Sequence, residues 1–214
     1  MFKLRNQELI ILIVTVVIFA GFSVFLDKFF STGNLLTLMR SVSILGILSI
    51  AMAVVVISKG IDLSLIATLA VGTALASVLS SGDVLPLIDL PFIYAVLIGL
   101  IFTSVLCAIT GILVAYWDMA SVFVTLAMAG VIYGLGRTLF IGDELNYLPE
   151  DALWLEYLGR GQLFGVPMPI ICFLSLALLM HLLLTKTTFG KFVYSIGDSG
   201  LAARTAGVPV RPIL

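Results

Sequence analysis

The chain alternates between long apolar stretches and short polar breaks. A membrane-spanning helix needs about 20 mostly apolar residues, and six stretches meet that requirement. They are Leu9–Leu26, Leu35–Ile57, Ile61–Leu79, Leu90–Tyr116, Ala120–Ile141 and Val166–Leu184. Each is expected to be a helix, because an open strand edge in hydrocarbon would leave backbone groups unpaired. The pattern predicts an all-α fold, a polytopic transmembrane bundle of about six spans in a single domain over residues 1–214.

Composition supports this prediction. Hydrophobic residues make up 61% of the sequence, charged residues make up 11%, and the mean hydropathy is +1.25. Soluble domains use about 25% charged residues, so a lipid bilayer is the expected surrounding. The net charge of −1 and the lack of a long basic run exclude nucleic acid as an expected partner. Asp27-Lys28-Phe29-Phe30 lacks a small-residue cleavage site, so the first stretch is interpreted as an uncleaved span.

The distribution of Lys and Arg predicts the orientation of the spans. With a cytoplasmic amino terminus, the outside loops carry only Lys28 and Arg160. The inside segments then carry Lys3, Arg5, Lys59, Lys186, Lys191, Arg204 and Arg211. This bias fits the positive-inside rule, and it places both ends of the chain in the cytoplasm.

Small residues at helical spacing predict where the spans pack. Close backbone approach supplies much of the packing between helices in lipid. Three such faces occur in the third and fifth spans, and we expect them to pack within the bundle. They are Ala70-x-x-x-Ala74, Gly72-x-x-x-Ala76 and Gly130-x-x-x-Gly134.

Three charged residues at or near membrane depth need an explanation, because burying charge in a bilayer is costly. Arg40 and Arg137 lie near outer span ends, where they could reach the headgroups, pair with Asp143 or Glu144, or line the mouth of a pathway or a docking site. Asp62 lies where the third span begins and can cap that helix. The alternative interpretation is that Asp62 has a role in the transport pathway.

The longest outer loop contains a predicted helix. Pro149-Glu150-Asp151 suits a first turn, and Gly159 is a plausible stop. Leu153, Trp154, Tyr157 and Leu158 share one face, which predicts a helix lying at the interface. It is either a structural cover or a docking surface for an external protein, with Trp154 as its candidate anchor.

Catalytic chemistry is not expected of this chain. His181, the only histidine, has no carboxylate nearby in sequence and is expected to be structural. Phosphate-binding glycine loops, metal-spaced His and Asp clusters and nucleophile elbows are absent from the sequence. We therefore expect no cofactor, no metal, and ATP binding, if any, on a separate subunit.

Three stretches together resemble the permeases of ribose-, xylose- and galactose-type ABC importers. Ile57–Ser64 is similar to the family's Gly-Gly-Ile-Asp-Leu-Ser signature. Val122–Arg137 is similar to its phenylalanine-valine-threonine-leucine span, which ends in arginine-glycine. The most specific stretch is Thr188–Asp198 with Ala202–Val208, which read TFGKFVYSIGD and AARTAGV. In this order and spacing the resemblance covers nearly the whole chain.

The resemblance implies a function. It implies a permease of the bacterial inner membrane that works with a cytoplasmic ABC ATPase, a second permease subunit and an extracytoplasmic sugar-binding protein. It also implies that residues 185–214 form a cytoplasmic coupling segment seated on the ATPase. The coupling residues expected on this basis are Gly197, Asp198, Ala202, Ala203, Arg204 and Gly207.

The sequence also departs from the family. Lys59 stands where a glycine is usual, Ile66 where a glycine is common, and Asp198 where an asparagine is frequent. Family members also continue into further spans, so the chain is expected to be a truncated or split product or a part of a longer protein. Two other functions stay open: a secondary carrier or channel, and an inactive fragment with an assembly role.

Overall fold

The apolar runs form helices, as the sequence predicts. The structure is a computed structural model that describes residues 6–81, 90–139 and 152–213. The helices are α1 (Asn6–Phe25), α2 (Thr32–Ile57), α3 (Leu65–Ser81), α4 (Phe92–Tyr116), α5 (Ser121–Leu139), α6 (Leu153–Arg160), α7 (Met168–Lys186), α8 (Thr188–Thr205) and α9 (Val210–Ile213). Two short strands, β1 (Gln162–Leu163) and β2 (Val166–Pro167), pair antiparallel between α6 and α7. The all-α fold class is confirmed.

Each of the six predicted spans contains one helix. Four helices, α2, α4, α5 and α7, are long and apolar enough to cross a membrane. The apolar parts of α1 and α3 within the described residues, Leu9–Phe25 and Leu65–Ser80, are shorter. The number of crossings and the orientation therefore stay predictions.

Polar side chains move the helix starts by a few residues. The third predicted span starts at Ile61, but α3 begins only at Leu65. The Asp62 carboxylate accepts hydrogen bonds from the Ser64 N–H at 2.8 Å and the Ser64 hydroxyl at 2.6 Å. These bonds hold a non-helical turn before the first helical residue, which is the usual effect of Asp side chains near helix starts.

The outer-loop helix ends later than predicted. α6 runs through Gly159 and stops at Arg160, so Gly159 is not the stop. Gly161 follows in an extended conformation, and a Cβ there would overlap the backbone of Tyr157. Gly161 is therefore the residue that lets the chain leave the helix. The predicted first turn at Pro149–Asp151 lies outside the described residues.

The spans pack in two groups. In the first group α2 packs against α7, and Gly46 leaves room for the Phe173 ring. In the second group α3 packs against both α4 and α5. A Cβ on Gly99 would lie 2.9 Å from the Gly72 carbonyl oxygen, and one on Gly136 would overlap Val71. The predicted packing face of α3 through Gly72 and Ala76 is thus confirmed.

The glycine face predicted on α5 is wrong for packing against the part of the chain that the structure describes. Gly130 and Gly134 are exposed, and a Cβ on either would have no described atom within 4 Å. Gly136, two residues further on, makes the close contact instead. The core of the α3–α4–α5 group, formed by Val71, Leu106 and Ile132, lies on that side of α5.

Candidate functional site

The three stretches that carry the resemblance meet at one end of the bundle. Ile57–Ser64 forms the turn between α2 and α3, Val122–Arg137 lies in α5, and Thr188–Val208 forms α8 and the turn that leads to α9. The stretches are far apart in sequence, and both α5 and α8 contact the α2–α3 turn. This end, defined as the coupling end, also includes α9 and the turn between α4 and α5.

Gly197 seats α8 against the end of α2. It is buried, and a Cβ there would overlap the backbone carbonyl oxygen of Ile57. Only glycine allows this approach, because any side chain would push the two helices apart. The connection between α7 and α8 is just as tight, since Gly190 packs against the backbone of Leu184.

Lys59 ties the α2–α3 turn to α8. Its ammonium group donates a hydrogen bond to the backbone carbonyl oxygen of Asp198 at 3.0 Å. Its φ of 63° lies in the left-handed region, which glycine occupies at little cost and lysine does not. A lysine rather than a glycine therefore affects two things at this position, the backbone energy and the contact with α8.

A break at Ser199 divides α8 into two helical parts. Ser199 has φ −158° and ψ 105°, which is extended rather than helical. Its hydroxyl accepts a hydrogen bond from the Ala202 N–H at 3.3 Å and so caps the second part. Asp198, just before the break, ends the first part, and a cation beside its carbonyl complements the helix dipole. Lys59 supplies that cation.

The second part of α8 folds back onto α9. Gly207, with φ 84°, ends the helix, and the Val208 N–H donates to the Ala203 carbonyl at 3.0 Å. This is a Schellman-type stop, which requires a left-handed residue and favours glycine. Ala203 packs with Ile196 and Val210 in a small buried core.

α9 ties the same segment to α4. The Arg211 guanidinium lies 3.7 Å from the Asp118 carboxylate and 5.8 Å from the centre of the Tyr116 ring. Tyr116 is the last residue of α4, and Asp118 follows it in the turn to α5. The coupling segment thus touches α2 through Gly197 and α4 through Arg211.

The start of α5 holds the α2–α3 turn from the other side. The Ser121 hydroxyl accepts a hydrogen bond from the Ile61 N–H at 3.1 Å, and the Thr125 hydroxyl donates to the Ile61 carbonyl at 3.2 Å. Thr125 is buried, so its bond is shielded from water. A displacement of the α2–α3 turn would therefore move α3, α5 and α8 together.

The predicted coupling residues have two kinds of position. Gly197 and Ala203 are buried within the chain, where they shape the segment. Asp198, Ala202, Arg204 and Gly207 are exposed. Leu201, which the sequence analysis did not single out, is 77% exposed beside them. Its exposure could not be inferred from sequence, because it depends on the break at Ser199.

The remaining candidates lie at two different places. At the end opposite the coupling end, the Arg40 guanidinium donates to the Gly159 carbonyl of α6 at 2.6 Å. The Trp154 and Phe92 rings lie 5.9 Å apart, centre to centre, and are tilted by 44°. Arg137 is exposed in the last turn of α5. Asp62 lies at the coupling end, so it shares no site with the other three. The acidic residues considered as partners for the two arginines lie outside the described residues.

A cavity of about 420 Å³ lies between α2 and the α3–α4 pair, and most of its lining comes from α3 and α4. It is mostly apolar with a few hydroxyl groups in its wall. Its lining includes Leu48 of α2, Thr68 and Gly72 of α3, Gly99 and Thr103 of α4, and Leu155 of α6. In the parts of the chain that the structure describes, no group of three or more His, Cys, Asp or Glu side chains could hold a metal ion.

Comparison with known proteins decides the family. The family model described as "Branched-chain amino acid transport system / permease component" matches residues 34–214, from the first turn of α2 through α9. The chain belongs to this permease family.

Among curated proteins, the permease is 32% identical to the ribose import permease protein of Bacillus subtilis (strain 168) over 188 residues, 88% of the permease and 56% of the relative. It is 30% identical to the L-arabinose ABC transporter permease protein of Azospirillum brasilense, over 95% and 57% of the two chains. It is 29% identical to the galactofuranose transporter permease protein of Escherichia coli (strain K12), over 85% and 51%. The permease therefore spans little more than half the length of these relatives. No solved structure matches it.

Family membership and the apolar helices both indicate a membrane protein. The permease is an integral membrane protein, and its large aliphatic side chains are exposed along α1, α2, α4 and α7. Exposed apolar area on this scale fits lipid and helix contacts rather than water.

Proposed function

We propose that the permease is part of an ATP-driven importer for a monosaccharide in the bacterial cytoplasmic membrane. The support for sugar as cargo is that its relatives carry names of ribose, arabinose and galactofuranose transporters. In this proposal ATP is bound by a partner ATPase. A second permease subunit and an extracytoplasmic sugar-binding protein complete the importer.

The observation that carries the proposal is the position of the coupling segment. α8 contacts the end of α2 through Gly197, and α9 contacts the end of α4 through Arg211. α2 and α4 belong to different helix groups. The cavity lies between them. A partner that moves α8 and α9 would therefore change the distance between the groups.

The exposed side of the segment is the proposed ATPase surface. Leu201 is a large apolar side chain in water, and Arg204 lies exposed one turn further along the helix. Arg is enriched at protein interfaces, and apolar side chains form their buried centre. We propose that Leu201 fills a groove of the ATPase and that Arg204 pairs with an acidic residue at its edge.

The test is retention of the ATPase by the purified permease. The tagged permease is co-expressed with the candidate ATPase, extracted in detergent, and the ATP hydrolysis that remains with it is measured. Arg204→Glu is expected to lower retention about tenfold, which corresponds to about 1.4 kcal/mol. Arg160→Glu makes the same charge change at the opposite end, where the side chain pairs only with Glu156 in the described part, and it should retain the ATPase.

Uptake into membrane vesicles separates this proposal from a secondary carrier. Labelled ribose and arabinose should enter only when the ATPase and ATP are both present. Uptake without ATP would overturn the importer and favour the carrier. Equal loss of the ATPase from both charge variants would overturn the assignment of its surface to α8.

A further inference from the structure

The β-hairpin between α6 and α7 has an aromatic residue at its tip. β1 and β2 are joined by Phe164 and Gly165, and both have positive φ, 52° and 80°. Two left-handed residues are what a tight two-residue hairpin turn requires, and Asn or Gly is usual at the first of them. Phenylalanine there carries a backbone cost that Asn or Gly would largely avoid.

Phe164 is also 98% exposed. A large aromatic ring in water is a second unfavourable feature at the same residue. The fold of the described residues offers no explanation for either cost, since the turn itself would be served better by a small polar residue. The two features together indicate that the ring has a binding partner.

The hairpin holds the ring in a fixed place. The Tyr157 hydroxyl donates to the Gln162 carbonyl at 3.2 Å, and the Met168 N–H donates to the Gly161 carbonyl at 2.9 Å. Pro167 is buried, and β2 contacts both α2 and α7. The hairpin therefore lies against the ends of two spans, and its tip cannot swing far from them.

We propose that the Phe164 tip inserts into the lipid interface and anchors this end of the bundle in the bilayer. α7 begins at Met168, four residues after Phe164, so the tip lies at the level where a span enters the membrane. Residues 162–167 carry no charge, and Leu163 and Val166 are exposed beside the ring. Aromatic residues are favoured at this depth of a membrane.

Lipid fits the tip better than a soluble protein does. A surface that binds a soluble partner only transiently is about as polar as the rest of a protein, with charged groups at its rim. The hairpin itself carries no charge, although the exposed Glu156–Arg160 pair lies before it in α6, and a transient partner would leave the ring in water between encounters. Lipid covers it at all times, which suits a permanent anchor.

Fluorescence of a tryptophan at the tip tests the proposal on the permease alone. Trp117 and Trp154 are replaced by Phe, Phe164→Trp is added, and the full chain is reconstituted into phosphatidylcholine vesicles. Lipid brominated near the glycerol end is expected to lower the emission about twofold, because bromine quenches on contact and the tip lies at that depth. Iodide in the buffer should have little effect.

A matched variant uses Leu201→Trp in the same background. Leu201 is also highly exposed, but it lies in the coupling segment, so iodide should quench it more strongly than brominated lipid. Circular dichroism confirms that both variants keep their helix content. If iodide quenches the tryptophan at residue 164 and brominated lipid does not, the tip lies in water and the anchor is overturned. Neither result depends on transport or on an ATPase, so the anchor and the importer can fail separately.

Discussion

The ammonium group of Lys59 lies 3.0 Å from the backbone carbonyl oxygen of Asp198, across 139 residues of sequence. The bond joins the turn after α2 to the first part of α8, where that part ends. It also gives a reason for a lysine at a position whose φ of 63° favours glycine. The bond and the backbone cost act in opposite directions and can be measured separately.

Lys59→Met should lower the free energy of unfolding by about 1 kcal/mol, because it removes a charged donor and keeps the same backbone strain. Lys59→Gly removes the donor and the strain together, so it should cost less than Lys59→Met. Thermal unfolding in detergent, followed by circular dichroism, measures both. Lys191→Met, an exposed lysine of α8, is the control and should be near neutral. A Lys59→Met effect no larger than that of Lys191→Met would show that the bond does not form.

Gly197→Ala should separate α8 from α2. The added Cβ would overlap the Ile57 carbonyl oxygen, which is backbone and cannot rotate away, so we expect a loss of about 1–3 kcal/mol. Gly200→Ala lies three residues further along the same segment, where a Cβ meets nothing within 4 Å. It should be neutral or slightly stabilising. The same unfolding measurement compares them, and a neutral Gly197→Ala would contradict the contact.

Thr125→Val should loosen the α2–α3 turn. The substitution keeps the shape of the side chain but removes the hydroxyl that donates to the Ile61 carbonyl in a buried place, which costs about 1 kcal/mol. Thr125→Ser keeps the hydroxyl and should lower the free energy of unfolding less than Thr125→Val does. Thr138→Val, whose hydroxyl bonds within its own helix to Gly134 and is exposed, is the control. If Thr138→Val lowers the stability as much as Thr125→Val does, the hydrogen bond of Thr125 to the α2–α3 turn makes no special contribution.

Gly136→Ala should destabilise the α3–α5 contact, because a Cβ there would overlap the Val71 side chain. Val71→Ala makes room for it, so the double variant should be more stable than the sum of the two single changes predicts. A double-mutant cycle in thermal unfolding measures this coupling, expected at about 1 kcal/mol. Gly134→Ala on the open side of α5 should be neutral. Strict additivity in the cycle would show that the two residues are not in contact.

Sequence reasoning found the elements because local chemistry fixes them. Every predicted span contains a helix. The sequence predicts that Asp62 caps the first turn of α3, but its carboxylate bonds to Ser64, the residue before that helix. The outer-loop helix and its aromatic face are also predictable from local pattern. The errors lie at ends set by contacts, such as Gly161 rather than Gly159 as the exit from α6.

The glycines show where sequence reasoning stops. Spacing favours Gly130 and Gly134 as the packing face of α5, but Gly136 makes the contact. The spacing of small residues marks a helix face that can be approached closely, and it does not say which neighbour approaches. Likewise nothing near Lys59 in sequence indicates a bond to Asp198.

By itself the sequence determined that the chain is a helical membrane protein, because the low charge and the long apolar runs leave only helices able to pair every backbone group in hydrocarbon. Its motifs also indicated the family, which the match to the family model shows. Only the tertiary structure decided that Ile57–Ser64, the start of α5 and α8 form one coupling end, and that Gly197 and Ala203 face inward while Leu201 faces outward. The coupling end and the position of Gly197 depend on contacts between residues more than 50 positions apart, and no local pattern of residues encodes such contacts. The positions of Ala203 and Leu201 depend on the break at Ser199 and the fold of α8 onto α9.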